Sequence, residues 1–526
     1  MSIIISFITP EQKTEDYLLK TLIFSSVLLL TYSALRLVYI IWWRPISLDK
    51  YLKQQGIGGT SYKLLHGDRE DIKRSGMEAL TKPISLNHHI APRVLPFFYH
   101  MVQAYGKVCL CWYGRRPRLI IGDPEQIRLI LADKNGDFVK PPLNPLVNIL
   151  QLGVSTLEGE QWFKRRKLIA PSFHLEKLKG MVPAFSTSCS ILIQRWKNLT
   201  SSEGSCEVDV APEFQNLAGD VIARTAFRSS YEEGKKIFQL QKEKLFWFSK
   251  PTIAFTFQVS GTEFIPTRKN NIRYKLDKEI KKILRDMIDK KQQAIQRGEA
   301  GSEDLMGLLL QCKDEANNCL SIEDVIEECK LFYFAGQETT ANLLTWTIIL
   351  LSMHTNWQEK AREEVLRVCG NKSSIDLEAI NHLKIVSMIL HEVLRLYPPV
   401  TLLYRHTRRK TQIGEFSVPA GVETLLPTLF LHYDPKYWGE DVEEFNPQRF
   451  YEGVSKATKD QIAFYPFGWG PRICLGQNFA MIEAKMALTM ILKQFSFQLS
   501  PSYTHAPYTV ITLQPQHGAP IILHQI

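Results

Sequence analysis

The stretch that decides the fold is Phe467 to Gly476, which reads FGWGPRICLG. Two glycines and a proline predict a tight loop, and the residues after the cysteine predict a helix that begins directly behind it. The amides and the dipole of that helix amino terminus favour a thiolate on Cys474. Gly470 and Gly476 allow the backbone to approach a flat ligand, and Arg472 can bind a carboxylate of that ligand. The loop therefore predicts a ligand bound through sulfur.

A long apolar helix is predicted earlier in the chain, from Ser321 to about Met353. Ser321 and Asp324 form a capping box at its start. The helix is apolar on nearly all sides, so we expect it to run through the protein interior. Its middle reads AGQETT from Ala335, although glycine and threonine are unfavourable inside a helix. Ala335 and Thr339 share one face, where the Thr339 hydroxyl can bond the Ala335 carbonyl and small side chains leave room for a small molecule.

Together the loop and the helix motif resemble those of the cytochrome P-450 family. The loop carries the family's haem-binding pattern, Phe-x-x-Gly-x-Arg-x-Cys-x-Gly, and AGQETT is similar to its oxygen-activating motif. The resemblance extends from about residue 17 to the carboxyl end. It implies an α+β fold that is mostly helical, with a long central helix, small β-sheets and an N-terminal membrane anchor helix. It also implies haem b, with the Cys474 thiolate as the iron ligand that favours O–O cleavage.

Further site residues follow from the same resemblance. Thr339 and Glu338 match the pair that delivers protons to bound oxygen, a general-acid role. Trp162 and Arg166 lie four residues apart on one helix face and resemble the family's propionate-binding pair. The predicted catalytic residues are thus Thr339 and Glu338, and the predicted haem contacts are Cys474, Trp162, Arg166, Arg405, Arg472, Phe467 and Gly468, with Cys474 as the metal ligand.

Other charged residues receive supporting roles. We interpret Lys164 and Arg165 as a solvated basic face, on which the family binds its acidic electron donor, NADPH–cytochrome P-450 reductase. Glu392, Arg395 and Arg449 match a buried charged triad of the family, so we expect them to support the fold and to take no part in catalysis.

Periodicity also predicts elements between these motifs. Glu158–Leu168 reads as the helix that carries the propionate-binding pair, and Asn381–Leu396 reads as one continuous helix. Val510–Leu513 and Pro520–Leu523 read as strands of a carboxyl-terminal hairpin.

The amino terminus is strongly apolar from Tyr17 to Trp43. A helix of this length spans about 40 Å, enough to cross a bilayer if Arg36 reaches the interface. A cleaved signal peptide is the alternative, but the segment lacks the positively charged start that such a peptide needs. We therefore predict a transmembrane anchor at 1–45 and a single catalytic haem-binding domain at 46–526. The expected location is the endoplasmic reticulum membrane, single-pass, with the catalytic domain in the cytosol.

The composition excludes two classes of protein. The 64 basic and 54 acidic residues give a net charge of +10 that is spread along the chain with no nucleic-acid-binding motif, so we predict no nucleic-acid partner. Nine cysteines at scattered positions do not form a disulfide framework.

A narrower resemblance concerns the substrate. The segments from Asp324 to Phe334, from Ile90 to Val94 and from Gln514 to Ala519 resemble the plant seventy-two clan, including its secologanin-synthase-like and triterpenoid-oxidising members. The resemblance implies monooxygenation of a lipophilic terpenoid of the triterpenoid, iridoid or gibberellin class, with O2 and electrons from NADPH through the reductase. A haem-thiolate isomerase or dehydratase, an oxidative C–C cleavage enzyme and a haem-binding sensor stay open.

The substrate pocket is expected to be apolar. We predict that it is lined by the 140–155 loop, Phe238–Phe257, Ala335 with Gly336, Thr401–Leu403, and the turn at Thr509–Ile511. Two departures from the family are visible: the hinge at Gly56–Thr60 has no proline, and Arg228 stands where relatives usually carry glycine.

Overall fold

Helices dominate the computed structural model, which describes residues 10–141, 152–201, 204–228, 231–249, 267–299, 304–310, 320–370, 375–458 and 463–526. This confirms the predicted α+β class with a mostly helical chain. The α-helices are α1 Pro10–Val38, α2 Arg44–Lys53, α3 Arg69–Thr81, α4 Ala91–Val94, α5 Pro96–Tyr105, α6 Pro124–Leu131, α7 Gly159–Ile169, α8 Leu175–Thr200, α9 Val210–Phe227, α10 Tyr231–Ser249, α11 Arg268–Gln296, α12 Leu305–Leu310, α13 Ile322–Met353, α14 Thr355–Cys369, α15 Leu377–His382, α16 Lys384–Leu396, α17 Thr428–His432, α18 Pro435–Trp438 and α19 Gln477–Leu492.

Helix α13 is the central helix that the sequence predicts. Ser321 caps it, and both hydrogen bonds of the predicted capping box with Asp324 are present. Most of its side chains are buried, as expected for a helix that is apolar on nearly all sides. It packs mainly against α9, and at the closest approach a Cβ on Gly336 would lie 2.8 Å from the side chain of Ile222. The glycine in the middle of this helix therefore allows α9 and α13 to approach closely.

The strands form small sheets beside the helices. The largest has six strands in the order β1-β2-β3-β9-β6-β4, and a three-stranded sheet has the order β10-β13-β5. Two hairpins, β7-β8 and β11-β12, complete the sheets of the described residues. The strands are β1 Gly58–Gly59, β2 Val108–Tyr113, β3 Arg116–Ile121, β4 Phe138–Val139, β5 Ser205–Asp209, β6 Leu403–Thr407, β7 Thr411–Ile413, β8 Phe416–Val418, β9 Glu423–Leu426, β10 Phe495–Leu499, β11 Pro507–Thr509, β12 Leu513–Pro515 and β13 Pro520–Gln525.

Two predicted elements are wrong in detail. The single helix predicted at Asn381–Leu396 is two helices, because the chain breaks at Leu383 and the carboxylate of Glu364 accepts the amides of Ile385 and Val386 at the new amino terminus. The strand predicted at Val510–Leu513 is the turn between β11 and β12 and only the start of β12.

The predicted charged triad lies in the interior. Glu392 and Arg395 are fully buried and form two hydrogen bonds of 2.8 and 2.7 Å, and Arg449 Nε lies 3.6 Å from the Glu392 carboxylate. Arg395 also donates to the carbonyls of His432 and Val442. The guanidinium thus connects α16 to the end of α17 and to the segment that follows it, which is a structural role.

The amino-terminal helix continues into the folded domain. Helix α1 is followed without a break by a π-helical segment, Tyr39–Trp43, and then by α2. Its apolar side chains are exposed to the surroundings, and the helical stretch Tyr17–Lys53 is long and apolar enough to cross a membrane. The proline-free segment Gly56–Thr60 contains the two-residue strand β1, which pairs in parallel with β2.

Candidate active site

A cavity of about 390 Å³ lies between α13, α7, strand β6 and the cysteine loop. Its size is typical of a small-molecule site. The predicted site residues that line it are Trp162, Arg166, Thr339, Arg405, Phe467, Gly468, Arg472 and Cys474. Residues from distant parts of the sequence thus meet around one space, and of the predicted catalytic and haem-contact residues only Glu338 does not line it.

The cysteine loop presents Cys474 to this cavity. Its amide donates to the Phe467 carbonyl at 2.9 Å, which closes the loop, and Gly468 has a left-handed φ of 73° that favours glycine. Enclosure by the protein raises the pKa of the Cys474 thiol, while the Gly476 amide and the Arg166 guanidinium lower it. An added positive charge in the cavity, such as an iron ion, would stabilise the thiolate further.

Gly470 has a different role from the one predicted. Its φ is 72°, and an added Cβ would lie 2.3 Å from the carbonyl oxygen of Leu131 at the end of α6. The glycine is therefore required for the contact between the cysteine loop and α6, and not for approach to a ligand.

Four cationic side chains line the cavity, and no carboxylate among the described residues does so. They are Lys140, Arg166, Arg405 and Arg472. Burial lowers the pKa of all four, to about 7 for Lys140 and to about 10 for Arg405, because the protein interior disfavours the charged form. Arg472 pairs with Glu158 at 2.6 Å and its guanidinium lies 4.4 Å from the Trp162 ring centroid. The cavity thus has an excess of positive charge.

These features fit a haem group. Its two propionates would supply the negative charge that the cavity lining lacks, and Cys474 would supply the sulfur ligand to the iron. The buried Thr428 hydroxyl also lines the cavity and has no hydrogen-bond partner among the described residues, so it can bond a ligand. Sequence reasoning assigned Lys140 only to the lining of the substrate pocket and missed Thr428, because neither residue stands in a recognisable motif.

Thr339 and Glu338 face different spaces. The Thr339 hydroxyl donates to the Ala335 carbonyl at 2.7 Å, as predicted, and lines the haem cavity. Glu338 lines a second cavity of about 490 Å³ on the other side of α13. Its carboxylate accepts hydrogen bonds from Thr512 at 2.7 Å, from Gln215 at 3.1 Å and from Asn342 at 3.2 Å.

Comparison with known proteins identifies the family. Residues 86–517 match the family model described as Cytochrome P450. The chain belongs to the cytochrome P450 family. A P450 of Paris polyphylla, CYP72A616, is 51% identical over 494 residues, which cover 92% of this chain and 95% of that protein. This confirms the resemblance to the seventy-two clan, and with it haem as the cofactor and monooxygenation as the activity.

Two further P450 relatives have names that state their reactions. The 7-deoxyloganic acid hydroxylase of Catharanthus roseus is 46% identical, covering 96% of this chain and 99% of that protein. The 11-oxo-beta-amyrin 30-oxidase of Glycyrrhiza uralensis is 47% identical, covering 93% of this chain and 95% of that protein.

A solved structure supports the fold alone. The retinoic acid-bound cyanobacterial CYP120A1 superposes with a TM-score of 0.74 and covers 89% of this P450 and 99% of its own chain, at 22% identity.

The basic face predicted on α7 is only half correct. Lys164 is exposed and pairs with Glu160. Arg165 is buried: it donates to Glu328 at 2.7 Å and lies 3.2 Å from Asp324. A buried, doubly paired guanidinium cannot contact an electron donor, so the interpretation of Arg165 as a docking residue is wrong.

The predicted substrate lining is divided between the two cavities of this P450. Lys140, Val154, Ser155, Ala335, Gly336 and Leu403 line the haem cavity, together with Ile222, which the sequence did not suggest. Phe238, Val510 and Ile511 line the second cavity instead, because they lie on the Glu338 side of α13. The predicted residues 142–151 and 250–257 lie outside the described part of the chain.

Proposed function

We propose that this P450 oxidises a lipophilic plant terpenoid of the triterpenoid, iridoid or gibberellin class. The observation that carries the proposal is the lining of the space beside Cys474, which is apolar on the α9 and α13 side through Ile222, Leu331, Phe332 and Ala335. An apolar wall binds a hydrocarbon skeleton and excludes water from the reaction. The names of the two relatives, an iridoid hydroxylase and a triterpenoid oxidase, support the same substrate class.

Different residues have different roles in the proposed reaction. Haem bound here supplies oxygen activation, which the protein chain cannot supply itself. Cys474 would hold the iron and donate electron density through its thiolate. Trp162, Arg166 and Arg472 orient the carboxylates of the cofactor through an indole N–H and two guanidinium groups. The apolar wall then positions the substrate carbon beside the reactive centre.

Proton delivery uses Thr339 and Glu338. The Thr339 oxygen faces the haem cavity while its proton is held by the Ala335 carbonyl, so it can accept a hydrogen bond from water there. Glu338 is the second residue of the route, and Thr512, Gln215 and Asn342 hold its carboxylate in the second cavity. Rotation of this side chain, or a chain of waters past it, completes the route.

We also propose a location and an electron donor. Residues 1–45 anchor the protein in the endoplasmic reticulum membrane, and 46–526 form one catalytic domain in the cytosol. The exposed apolar surface of α1 supports the anchor. The donor is NADPH–cytochrome P-450 reductase, which binds the basic surface that includes Lys164, now without Arg165.

The proposal is tested with microsomes that contain the full chain. A reduced carbon-monoxide difference spectrum reports thiolate ligation, and Cys474→Ser should abolish it. A panel of triterpenoids, iridoids and gibberellins is then screened for a substrate-induced spectral change, with steroids and fatty acids as comparison classes. Binding and NADPH-dependent oxidation of a terpenoid support the proposal, whereas turnover only of another class contradicts it.

The alternatives give different results in the same assay. Turnover without NADPH or O2 would indicate an isomerase or dehydratase. A product that has lost a C–C bond would indicate oxidative cleavage, and terpenoid binding without any turnover would indicate a sensor.

A further inference from the structure

A buried carboxylate on α13 holds one part of the wall of the haem cavity from behind. The side chain of Glu328 has no exposed surface. Its Oε2 atom accepts the Val154 amide at 3.2 Å, and its Oε1 atom accepts a hydrogen bond from the Arg165 guanidinium at 2.7 Å. Val154 and Ser155 line the cavity, whereas Glu328 is not among the described residues that do so. The carboxylate therefore contacts the outer side of the wall and not its inner surface.

This part of the wall is a compact turn, residues 153–157, which we call the wall turn. The Gly153 carbonyl accepts the amides of Thr156 and Leu157 at 2.9 and 3.1 Å, and the Thr156 hydroxyl donates to it at 3.1 Å. The Leu157 carbonyl accepts a hydrogen bond from Arg472 of the cysteine loop at 2.9 Å. One end of the wall turn is thus bonded to the buried carboxylate on α13, and the other end is bonded to the cysteine loop.

The contact between the wall turn and Glu328 is close enough to require glycine at the first residue of the turn. Gly153 has a φ of 124°, which residues with a side chain rarely adopt, and an added Cβ would lie 2.8 Å from Glu328 Oε2. Glu328 also stands four residues before Phe332, which lines the cavity from α13. The carboxylate therefore fixes the distance between two parts of the cavity lining, the wall turn and the adjacent face of α13.

Arg165 supports Glu328 in this contact. Burial raises the pKa of Glu328, and the Arg165 guanidinium and the Val154 amide both oppose that shift. An ionised carboxylate forms a stronger hydrogen bond with a backbone amide than a neutral acceptor does. The guanidinium itself also lies 3.2 Å from Asp324, one turn earlier on α13. A change at Arg165 should therefore reach the wall turn through Glu328.

We propose that Glu328, supported by Arg165, is a positioning residue that sets the place of Val154 and Ser155 in the haem cavity and thereby limits the space for a bulky ligand. This role rests on the proposed use of the cavity for the substrate. Glu328 acts through the wall turn and does not itself contact the substrate. A terpenoid skeleton has many similar C–H bonds, so the place of the wall selects which carbon lies beside the reactive centre.

The first measurement is hydrogen exchange of the haem-loaded full chain in nanodiscs, followed by mass spectrometry of peptides that cover the wall turn. Glu328→Gln keeps the size of the side chain but replaces one acceptor oxygen with a donor. Glu364→Gln is the matched control, because Glu364 is also buried and accepts the Ile385 and Val386 amides outside the cavity lining. Exchange at Val154 should become about tenfold faster in Glu328→Gln and stay unchanged in Glu364→Gln.

The second measurement compares two probes that bind haem iron through an imidazole nitrogen. Imidazole itself occupies little of the cavity, whereas 1-(1-adamantyl)imidazole carries a bulky hydrocarbon cage that must pack against the lining. Both affinities are measured from the shift of the haem absorbance. In Glu328→Gln the adamantyl compound should bind about tenfold more weakly, because ordering a mobile wall opposes binding, while the affinity for imidazole should change by less than about twofold.

Gly153→Ala tests the same contact and leaves the Glu328–Arg165 ion pair in place. The added Cβ displaces the wall turn from the carboxylate, so this variant should reproduce both effects. Gly453→Ala is its matched control, because Gly453 also has a positive φ, of 93°, but an added Cβ there meets nothing within 4 Å. Each variant must show the carbon-monoxide spectrum of the parent protein. If Glu328→Gln does not, Gly153→Ala and its control decide the question.

Faster exchange at Val154 together with weaker binding of the adamantyl compound alone, in Glu328→Gln and Gly153→Ala but in neither control, supports the positioning role. Equal loss of affinity for both probes, or the same changes in the controls, would make Glu328 a residue of general stability and overturn the role. Unchanged affinity for the adamantyl compound despite faster exchange would also overturn it. Neither probe is a terpenoid, so these outcomes are separate from the success or failure of the proposed terpenoid oxidation.

Discussion

Replacing Arg165 with alanine should destabilise the protein far more than replacing an exposed residue of the same helix, such as Lys164. Arg165 donates to Glu328 at 2.7 Å, and the Glu328 side chain has no exposed surface. Without the guanidinium, Glu328 retains, among the described residues, only the Val154 amide at 3.2 Å as a partner that opposes its burial. Removing one partner of a buried ion pair costs about 3–5 kcal/mol, so we expect the free energy of unfolding to fall by that amount.

The loss should depend on pH in a direction that the burial of Glu328 determines. Burial already raises the pKa of Glu328 above that of a glutamate in the unfolded chain, and loss of Arg165 raises it further. A folded state that binds the proton more tightly than the unfolded state loses stability as pH rises. The deficit of Arg165→Ala should therefore be smaller at about pH 5 than at about pH 7.5.

The measurement is urea unfolding in detergent, followed by tryptophan fluorescence at both pH values. Lys164→Ala is the matched control, because Lys164 is 52% exposed and pairs only with Glu160, which is 79% exposed. An exposed pair contributes at most about 1 kcal/mol. If both variants lost equal stability, or if Arg165→Ala unfolded normally but was reduced more slowly by the reductase, the assignment of Arg165 to the interior would be refuted.

Three other changes test the site and the fold. Thr339→Val should slow substrate oxidation by roughly 10²-fold and divert NADPH into peroxide, measured as peroxide per NADPH consumed, with the carbon-monoxide spectrum unchanged. Burial lowers the pKa of Lys140 to about 7, and bound propionates would favour its protonated form. The haem affinity of the apoprotein should therefore fall as the pH rises above about 7, and Lys140→Met should remove this dependence. Arg228→Gly should stabilise the protein by about 0.5–1 kcal/mol in urea unfolding, because Arg228 ends α9 at a left-handed φ of 47° that glycine adopts without strain, and the buried Asp304 keeps its 2.5 Å ion pair with Lys291.

Local chemistry made much of the fold and site predictable. The capping box of Ser321 and Asp324, and the bond from Thr339 to Ala335, depend on residues three or four positions apart, which a helix brings together whatever surrounds it. The cysteine loop was predictable for a similar reason, since its glycines permit left-handed backbone conformations and its proline fixes φ before any tertiary contact forms.

Side-chain partners from distant segments were not predictable in this way. Periodicity gives Arg165 and Arg166 neighbouring positions on α7. It does not reveal that Glu328, a buried acid on α13, lies beside Arg165. Lys140 stands in no motif, and only the folded chain brings it to the cations of the cysteine loop. Likewise Glu364 lies on α14, and its carboxylate accepts hydrogen bonds from two backbone amides at the start of α16. No local sequence pattern predicts these contacts.

Glu338 shows how the difference between local contacts and contacts from distant segments affects function. Two consecutive residues of a helix point about 100° apart, so Thr339 and Glu338 cannot both face one small cavity. The sequence places an acid next to an alcohol, but the turn between β11 and β12 supplies Thr512, which holds the acid on the far side of α13. A carboxylate with three donors is stable where it is, and its movement towards Thr339 requires those bonds to break. If the proposed proton route runs through rotation of Glu338, its rate depends on a carboxyl-terminal hairpin more than 170 residues away in the chain, because Thr512 holds the carboxylate without lining the haem cavity.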